Sequence, residues 1–201
     1  MLIAAFADAL LRAMFVASVL VNVPLLDWTS PIEKGRGMKL VGLISDTHVP
    51  SRSRKLPERV FEIFKDVDLI MHAGDITRIE VVKELEKLAP VIAVHGNMDP
   101  QEVRDQLPEF TSIELLGHKI GVTHDPGALW GMHEMKRLAK EKSLNVLVFG
   151  HTHKQSVEWE DDRLFINPGS ATDPLPPLLV KPTVGLLLLK EERIEPFIIK
   201  V

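Results

Sequence analysis

The chain has 201 residues, 45% of them hydrophobic and 26% charged, with 28 acidic against 24 basic side chains and a formal charge of -4. That length suits one well-filled core and is short for two independent ones, while the weakly acidic balance gives no overall case for nucleic-acid binding. Cysteine is absent, which excludes disulfides, thiolate metal sites and a cysteine nucleophile, so any metal must be held by oxygen and imidazole nitrogen.

Residues 1–37 differ in character from the rest of the chain. Met1 to Leu26 is strongly apolar, with Asp8 and Arg12 in its first half and only Ser18 and Asn22 polar from Ala13 onward. The positive region that opens a signal peptide is missing, and a membrane span of about 20 apolar residues would bury Arg12 or run into Pro24. A span in spite of those costs is one reading, and an amphipathic, membrane-contacting or loosely docked helix is another. The favoured one is a misassigned start, with the domain proper beginning at Met38 after the linker-like Lys34-Gly35-Arg36-Gly37. Residues 38–201 are then expected to form one cytoplasmic domain.

Leu40 to His48 reads LVGLISDTH, an apolar run suited to a strand buried on both faces that ends on an aspartate and a histidine. Pro57 suits the first turn of a helix with apolar positions Val60, Phe61 and Phe64. A second strand around Leu69 to Met71 leads into His72-Ala73-Gly74-Asp75. Thr77, with Glu80 three residues on, has the capping-box pattern for a helix reaching about Leu88, and Pro90 leads into a third strand, Val91 to Val94, followed by His95-Gly96-Asn97. This strand-helix alternation predicts parallel pairing.

Residues 97–109 read as a polar connection. Ile113 to Leu116 and Lys119 to Thr123 flank a tight turn at Gly117-His118, and the second of these runs ends on His124. Gly131 to Lys142 reads as a helix with Met132, Met135, Leu138 and Ala139 packed inward, and His133 is assigned a structural place in it. The strand Val146 to Phe149 runs into Gly150-His151-Thr152-His153. Four short strands without helices come next, at Ser156 to Trp159, Arg163 to Ile166, Val184 to Leu189 and Ile194 to Ile199. They predict an antiparallel second sheet packed on a mixed first one, an α/β (α+β) fold with helices outside.

Five apolar runs thus deliver Asp, His or Asn at one end, where an open α/β sheet places its ligand crevice. Asp46, His48, Asp75, Asn97, His124, His151 and His153 supply three oxygen ligands and four imidazoles, a set sized for two ions if Asp75 bridges them. Oxygen and nitrogen ligation fits Mn, Fe, Zn, Co or Ni and argues against an all-oxygen calcium or magnesium cage. Two such ions roughly 4 Å apart can bind a phosphoryl oxygen and hold a bridging hydroxide for in-line attack. No Gly-x-Gly-x-x-Gly or Walker-type loop supports a nucleotide cofactor.

The ordered motifs Asp46-Thr47-His48, Gly74-Asp75, Gly96-Asn97-Met98-Asp99, His124 and Gly150-His151-Thr152-His153 resemble those of the calcineurin-like metallophosphoesterases. The resemblance covers about residues 38–201 and is strongest to the compact bacterial and archaeal phosphodiesterase branch, which also resembles the retromer subunit of this fold. It implies a β-sandwich of two mixed sheets flanked by helices. It also implies one ion, with manganese favoured, on Asp46, His48, Asp75 and His153, and a second on Asp75, Asn97, His124 and His151. Catalysis by Asp75, Asn97 and His124 on a small phosphoester, most readily a diester, is implied by the same resemblance.

Two positions depart from the family pattern. Met98 stands where a histidine often donates the leaving-group proton, a loss that typically costs about 10²- to 10⁴-fold, and Asp125-Pro126 follows His124 where glycine is usual. Asp99 either supports the Asn97 loop or serves an exposed turn, and Asp125 either orients a ligand histidine or caps its turn. His72 and His95 are placed beside or behind the cleft, and His118 in a turn. A non-enzymatic interaction module, with Leu178-Leu179-Val180 as a contact patch, is the rival reading. A nucleic-acid partner is not expected, and a homodimer is left open.

Overall fold

The computed structural model describes residues 37–127, 132–172 and 181–201, of which residues 39 onward belong to one compact unit. The Leu178 patch and the apolar extension before Gly37 lie outside the described residues. Among the described residues, no helix is long and apolar enough to cross a membrane.

The first sheet begins with β1 (Met38–Ile44), β2 (Leu69–Ala73) and β3 (Val91–Val94), paired in parallel. Between them lie α1 (Glu58–Phe64) and α2 (Glu80–Leu85), and the one-turn α3 (Gln101–Arg104) comes after β3. The second sheet is built from β4 (Phe110–Leu115), β5 (His118–Thr123), β6 (Val146–Val148), β7 (Ser156–Glu160) and β8 (Arg163–Asn167), with α4 (Met132–Glu141) between β5 and β6. The hairpin β9 (Thr183–Lys190) and β10 (Arg193–Lys200) completes the chain.

The orders are β10-β9-β1-β2-β3 and β4-β5-β6-β8-β7. The late strands therefore do not make a separate antiparallel sheet. The second sheet is mixed, because β6 pairs in parallel with both β5 and β8, and the last hairpin returns to lie beside β1 in the first sheet. Fully buried β9, with Leu186 to Leu189 each at 1% exposure or less, requires that central position. The fold is the sandwich of two mixed sheets with helices outside.

Alternate residues of each strand face the shared core, as the two-residue strand period demands. Val41, Leu43, Leu69 and Met71 from one sheet and Ile120, Val122, Val146, Val148, Leu164 and Ile166 from the other form a single buried cluster. On its outer side Phe64 of α1 packs over Gly42, where an added methyl group would sit 3.0 Å from the ring. Met135 and Ala139 of α4 cover Leu147, Phe149 and Phe165 on the outside of the second sheet.

Local departures from the sequence expectation have plain causes. Helix α2 starts at Glu80 and ends at Leu85, without a side-chain cap. Thr77 instead sits at φ 66°, its hydroxyl donating to the Val49 carbonyl and its N–H to the Asp99 carboxylate. The polar 97–109 connection contains α3, and β4 begins three residues early, at Phe110, opposite Thr123. Leu116 and Gly117, at φ 51° and 79°, form the β4–β5 turn. His118 binds the Lys190 carbonyl at 2.7 Å, whereas His133 is exposed on α4 and has no place in its packed face.

Candidate metal centre

All five predicted strand ends meet. Parallel β1, β2 and β3 and parallel β5 and β6 leave their carboxyl ends at one edge of the sandwich, and the backbone ties the first loops together: Asp46 N–H donates to the Gly74 carbonyl at 3.0 Å and His48 N–H to the Asp75 carbonyl at 2.9 Å. Asp46, His48, Asp75, His151 and His153 have φ between 45° and 67°. Such left-handed values are uncommon for residues with side chains and cluster at functional sites. Here they turn successive side chains from the strand ends toward one centre.

Asp46, His48, Asp75 and His153 are buried and offer ligand atoms within 4.8 Å of one another. His48 Nε2 is 3.2 Å from His153 Nε2 and 3.6 Å from Asp75 Oδ2, and His153 Nε2 is 3.4 Å from Asp46 Oδ1. A second group adjoins it through Asp75, whose Oδ2 is 3.4 Å from His124 Nε2. Asn97 Oδ1 lies 2.9 Å from His124 Nε2 and 2.9 Å from His151 Nδ1. All seven residues singled out from the sequence are therefore in this one constellation, with Asp75 common to both halves.

The donor chemistry fits cations. His124 Nδ1 is 2.8 Å from the Ala73 carbonyl, which can only accept, so Nδ1 carries a proton and Nε2 is the ring atom presented to the Asn97 and Asp75 oxygens, free to act as a ligand when the ring is neutral. A cation at this place would be met by oxygen and imidazole nitrogen atoms together. Asp46 Oδ2 is buried with no hydrogen-bond partner among the described residues, a costly arrangement for a carboxylate that a cation relieves.

The titrations reflect the same crowding. Burial raises the Asp46 carboxyl against the opposing pull of His124 and His153. Burial also opposes ionisation of Asp75, but the hydrogen bond and charge of His124 with the Met98 N–H hold it below the ordinary carboxylate range. Burial works to lower His124, yet the Asp75 hydrogen bond and the Asp46 and Asp75 charges raise it.

Asp99 is the support of the Asn97 loop: it is buried and accepts from Gly96 N–H at 2.7 Å and from Thr77 N–H. Asp125 caps its turn through Gly127 N–H at 2.9 Å, while its other oxygen lies 3.8 Å from His151 Nε2, too far for a hydrogen bond. His72 is fully buried behind the site against Thr47 Oγ1 at 3.1 Å, and burial lowers it to about 3. His95 lines the adjoining cleft. Met98 is 53% exposed at the mouth, and its backbone N–H holds Asp75 Oδ1 at 2.7 Å.

Several supporting residues escaped the sequence reading. Ser170 Oγ donates to the Asp46 carbonyl at 2.8 Å and Thr172 Oγ1 to the Thr47 carbonyl at 2.6 Å, pinning the first motif from across the chain. Asn167 Nδ2 donates to the Gly150 carbonyl at 2.7 Å, and Arg104 donates to the carbonyls of Asn97 and Asp99. Asn167-Pro168-Gly169-Ser170 carried a usable signal, a sixth strand ending in polar groups; Arg104 carried none.

Residues 38–192 match the calcineurin-like phosphoesterase superfamily domain. A probable metallophosphoesterase of Methanothermobacter thermautotrophicus is 38% identical over 80% of this chain and 92% of its own. A phosphodiesterase of Methanocaldococcus jannaschii is 32% identical over 73% and 91%. Among solved structures, vacuolar protein sorting 29 from Cryptosporidium parvum superposes with a TM-score of 0.73 at 25% identity, covering 82% of this chain and 92% of that one. Domain match, relatives and strand-end constellation together make this chain a member of the calcineurin-like phosphoesterase superfamily.

Proposed function

We propose that this protein is a phosphodiesterase that works with two divalent ions. The observation that carries the reading is the position of Asp75 Oδ2, 3.6 Å from His48 Nε2 and 3.4 Å from His124 Nε2, between two groups of oxygen and nitrogen donors. One ion is assigned to Asp46, His48, Asp75 and His153, the other to Asp75, Asn97, His124 and His151. Manganese is the first choice, with Ni, Co, Fe and Zn competing for the same mixed donor set.

Bound there, the ions supply Lewis acidity toward a phosphoryl oxygen and lower the pKa of water. The chain's contribution is orientation: the Ala73 carbonyl fixes the His124 tautomer, the Met98 N–H holds Asp75, and Asp99 and Arg104 fix the turn that presents Asn97. Thioether Met98 gives this turn no acid for a departing alkoxide, so diesters with good leaving groups are favoured over unactivated monoesters. The catalytic unit is placed within residues 38–201, and the protein in the cytoplasm.

Metal-free protein reloaded separately with Mn, Ni, Co and Zn and assayed on aryl diesters and monoesters tests the reading. Diester turnover exceeding monoester turnover is expected, and no turnover with two ions bound overturns it. The second reading is an interaction scaffold, favoured by the likeness to vacuolar protein sorting 29 and by Val157 and Trp159, 39% and 49% exposed on edge strand β7. It leaves the gathered oxygen and nitrogen atoms without a purpose.

A further inference from the structure

We propose that the cavity beside Asn97 and His124 receives one arm of the diester, and that this arm is short and carries an ammonium group. The inference rests on the phosphodiesterase reading and adds the substrate class to it. His95, Asn97, Arg104, Glu109, His124 and Asp125 line a cavity of about 160 Å³. Asn97 and His124 are thus shared between the metal centre and the cavity wall, so a phosphorus atom held at the centre extends an ester arm into this space.

Size sets the first limit. The cavity is smaller than the ~300–1,000 Å³ sites that enclose drug-sized ligands, so the part of the arm it holds is a few heavy atoms. Charge sets the second. Arg104 turns Nε to the Asp99 carbonyl at 2.8 Å and Nη2 to the Asn97 carbonyl at 2.6 Å; it keeps its charge, so the wall carries one cation against the carboxylates of Glu109 and Asp125.

The two carboxylates keep acceptor capacity. Glu109 is exposed, while its backbone carbonyl is tied by Thr123 Oγ1 at 3.0 Å. Asp125 uses Oδ1 for Gly127 N–H and keeps Oδ2 3.8 Å from His151 Nε2. With one guanidinium against two carboxylates the wall is negative by one charge, which favours an ammonium on the arm over a second phosphate or carboxylate.

The test compares the manganese-loaded full chain on three p-nitrophenyl phosphodiesters whose second arm is choline, ethanolamine or plain ethyl. The wild-type protein is expected to favour both cationic arms over ethyl by about fivefold in kcat/KM, the scale of exposed charge pairs, with the preference shrinking at high salt. In Glu109→Gln and Asp125→Asn the preference falls, and in the double variant it approaches one.

Titration calorimetry gives a readout apart from turnover: phosphocholine should bind the loaded chain more tightly than ethyl phosphate, and the variants should lose that difference. A wild-type preference of one or below, or a preference untouched by both substitutions, overturns the ammonium assignment while ethyl-ester turnover leaves the phosphodiesterase reading standing. No turnover of any ester with two ions bound removes both.

Discussion

The side chains that define this site are held by backbone geometry that only some residues tolerate. Gly74, at φ 85°, has no room for a methyl group, which would stand 2.7 Å from His124 Cβ. Gly74→Ala is expected to destabilise the fold by about 1–3 kcal/mol in urea melts and to displace His124. Asn97→Ala should remove one of two bound ions and lower diester turnover at least about 10²-fold, checked by metal analysis and initial rates. Full turnover with one ion would show that Asn97 is not part of the machinery.

His72 gives a pH prediction in the metal-free protein. Burial, with a smaller contribution from His124, lowers it to about 3 from an ordinary 6.5. The unfolded chain therefore binds the proton first, and the neutral ring's contribution is complete above about pH 6.5 and is lost progressively as pH falls toward 3. Urea midpoints should decline through that window. His72→Leu should flatten the decline while leaving the Thr47 hydroxyl without its partner.

At the scale of elements, the first three strands and their polar ends were legible because both faces of β1 and β2 are buried and the runs are nearly pure apolar. The candidate ligand positions stood out for the same reason, each falling where an apolar run stops. What the sequence hid was pairing between distant segments. Nothing local in Ile194 to Ile199 says that the last hairpin lies beside β1, and nothing in Thr77-x-x-Glu80 says that Thr77 turns its hydroxyl to Val49 instead of capping α2.

The β8 terminus was hidden in the same way: Asn167 bridges to Gly150 and Thr152, and Ser170 and Thr172 reach Asp46 and Thr47. Asn167→Ala leaves the Gly150 carbonyl with the Thr152 N–H alone and takes the acceptor from the buried Gly169 N–H. It is expected to cost about 1–3 kcal/mol and to weaken uptake of both ions, since His151 and His153 come directly after Gly150; an unchanged urea midpoint and affinity would make the β8 contacts incidental.

For the whole molecule, two facing sheets serve to bring the exits of five strands to one edge, where residues as far apart as Asp46 and His153 meet. A chain beginning at Met38 is expected to melt at the same temperature as the full chain and to retain its ion content. A large loss of stability would show that the apolar extension belongs to the core.

Counting divalent ions bound per full-length chain, by elemental analysis after equilibrium dialysis against manganese, bears most directly on the proposed dinuclear centre. Two ions per chain are predicted, falling to at most one in Asp75→Ala because that side chain stands between both donor groups. A wild-type chain that takes up no divalent ion, or an Asp75→Ala chain that still holds two, would contradict it.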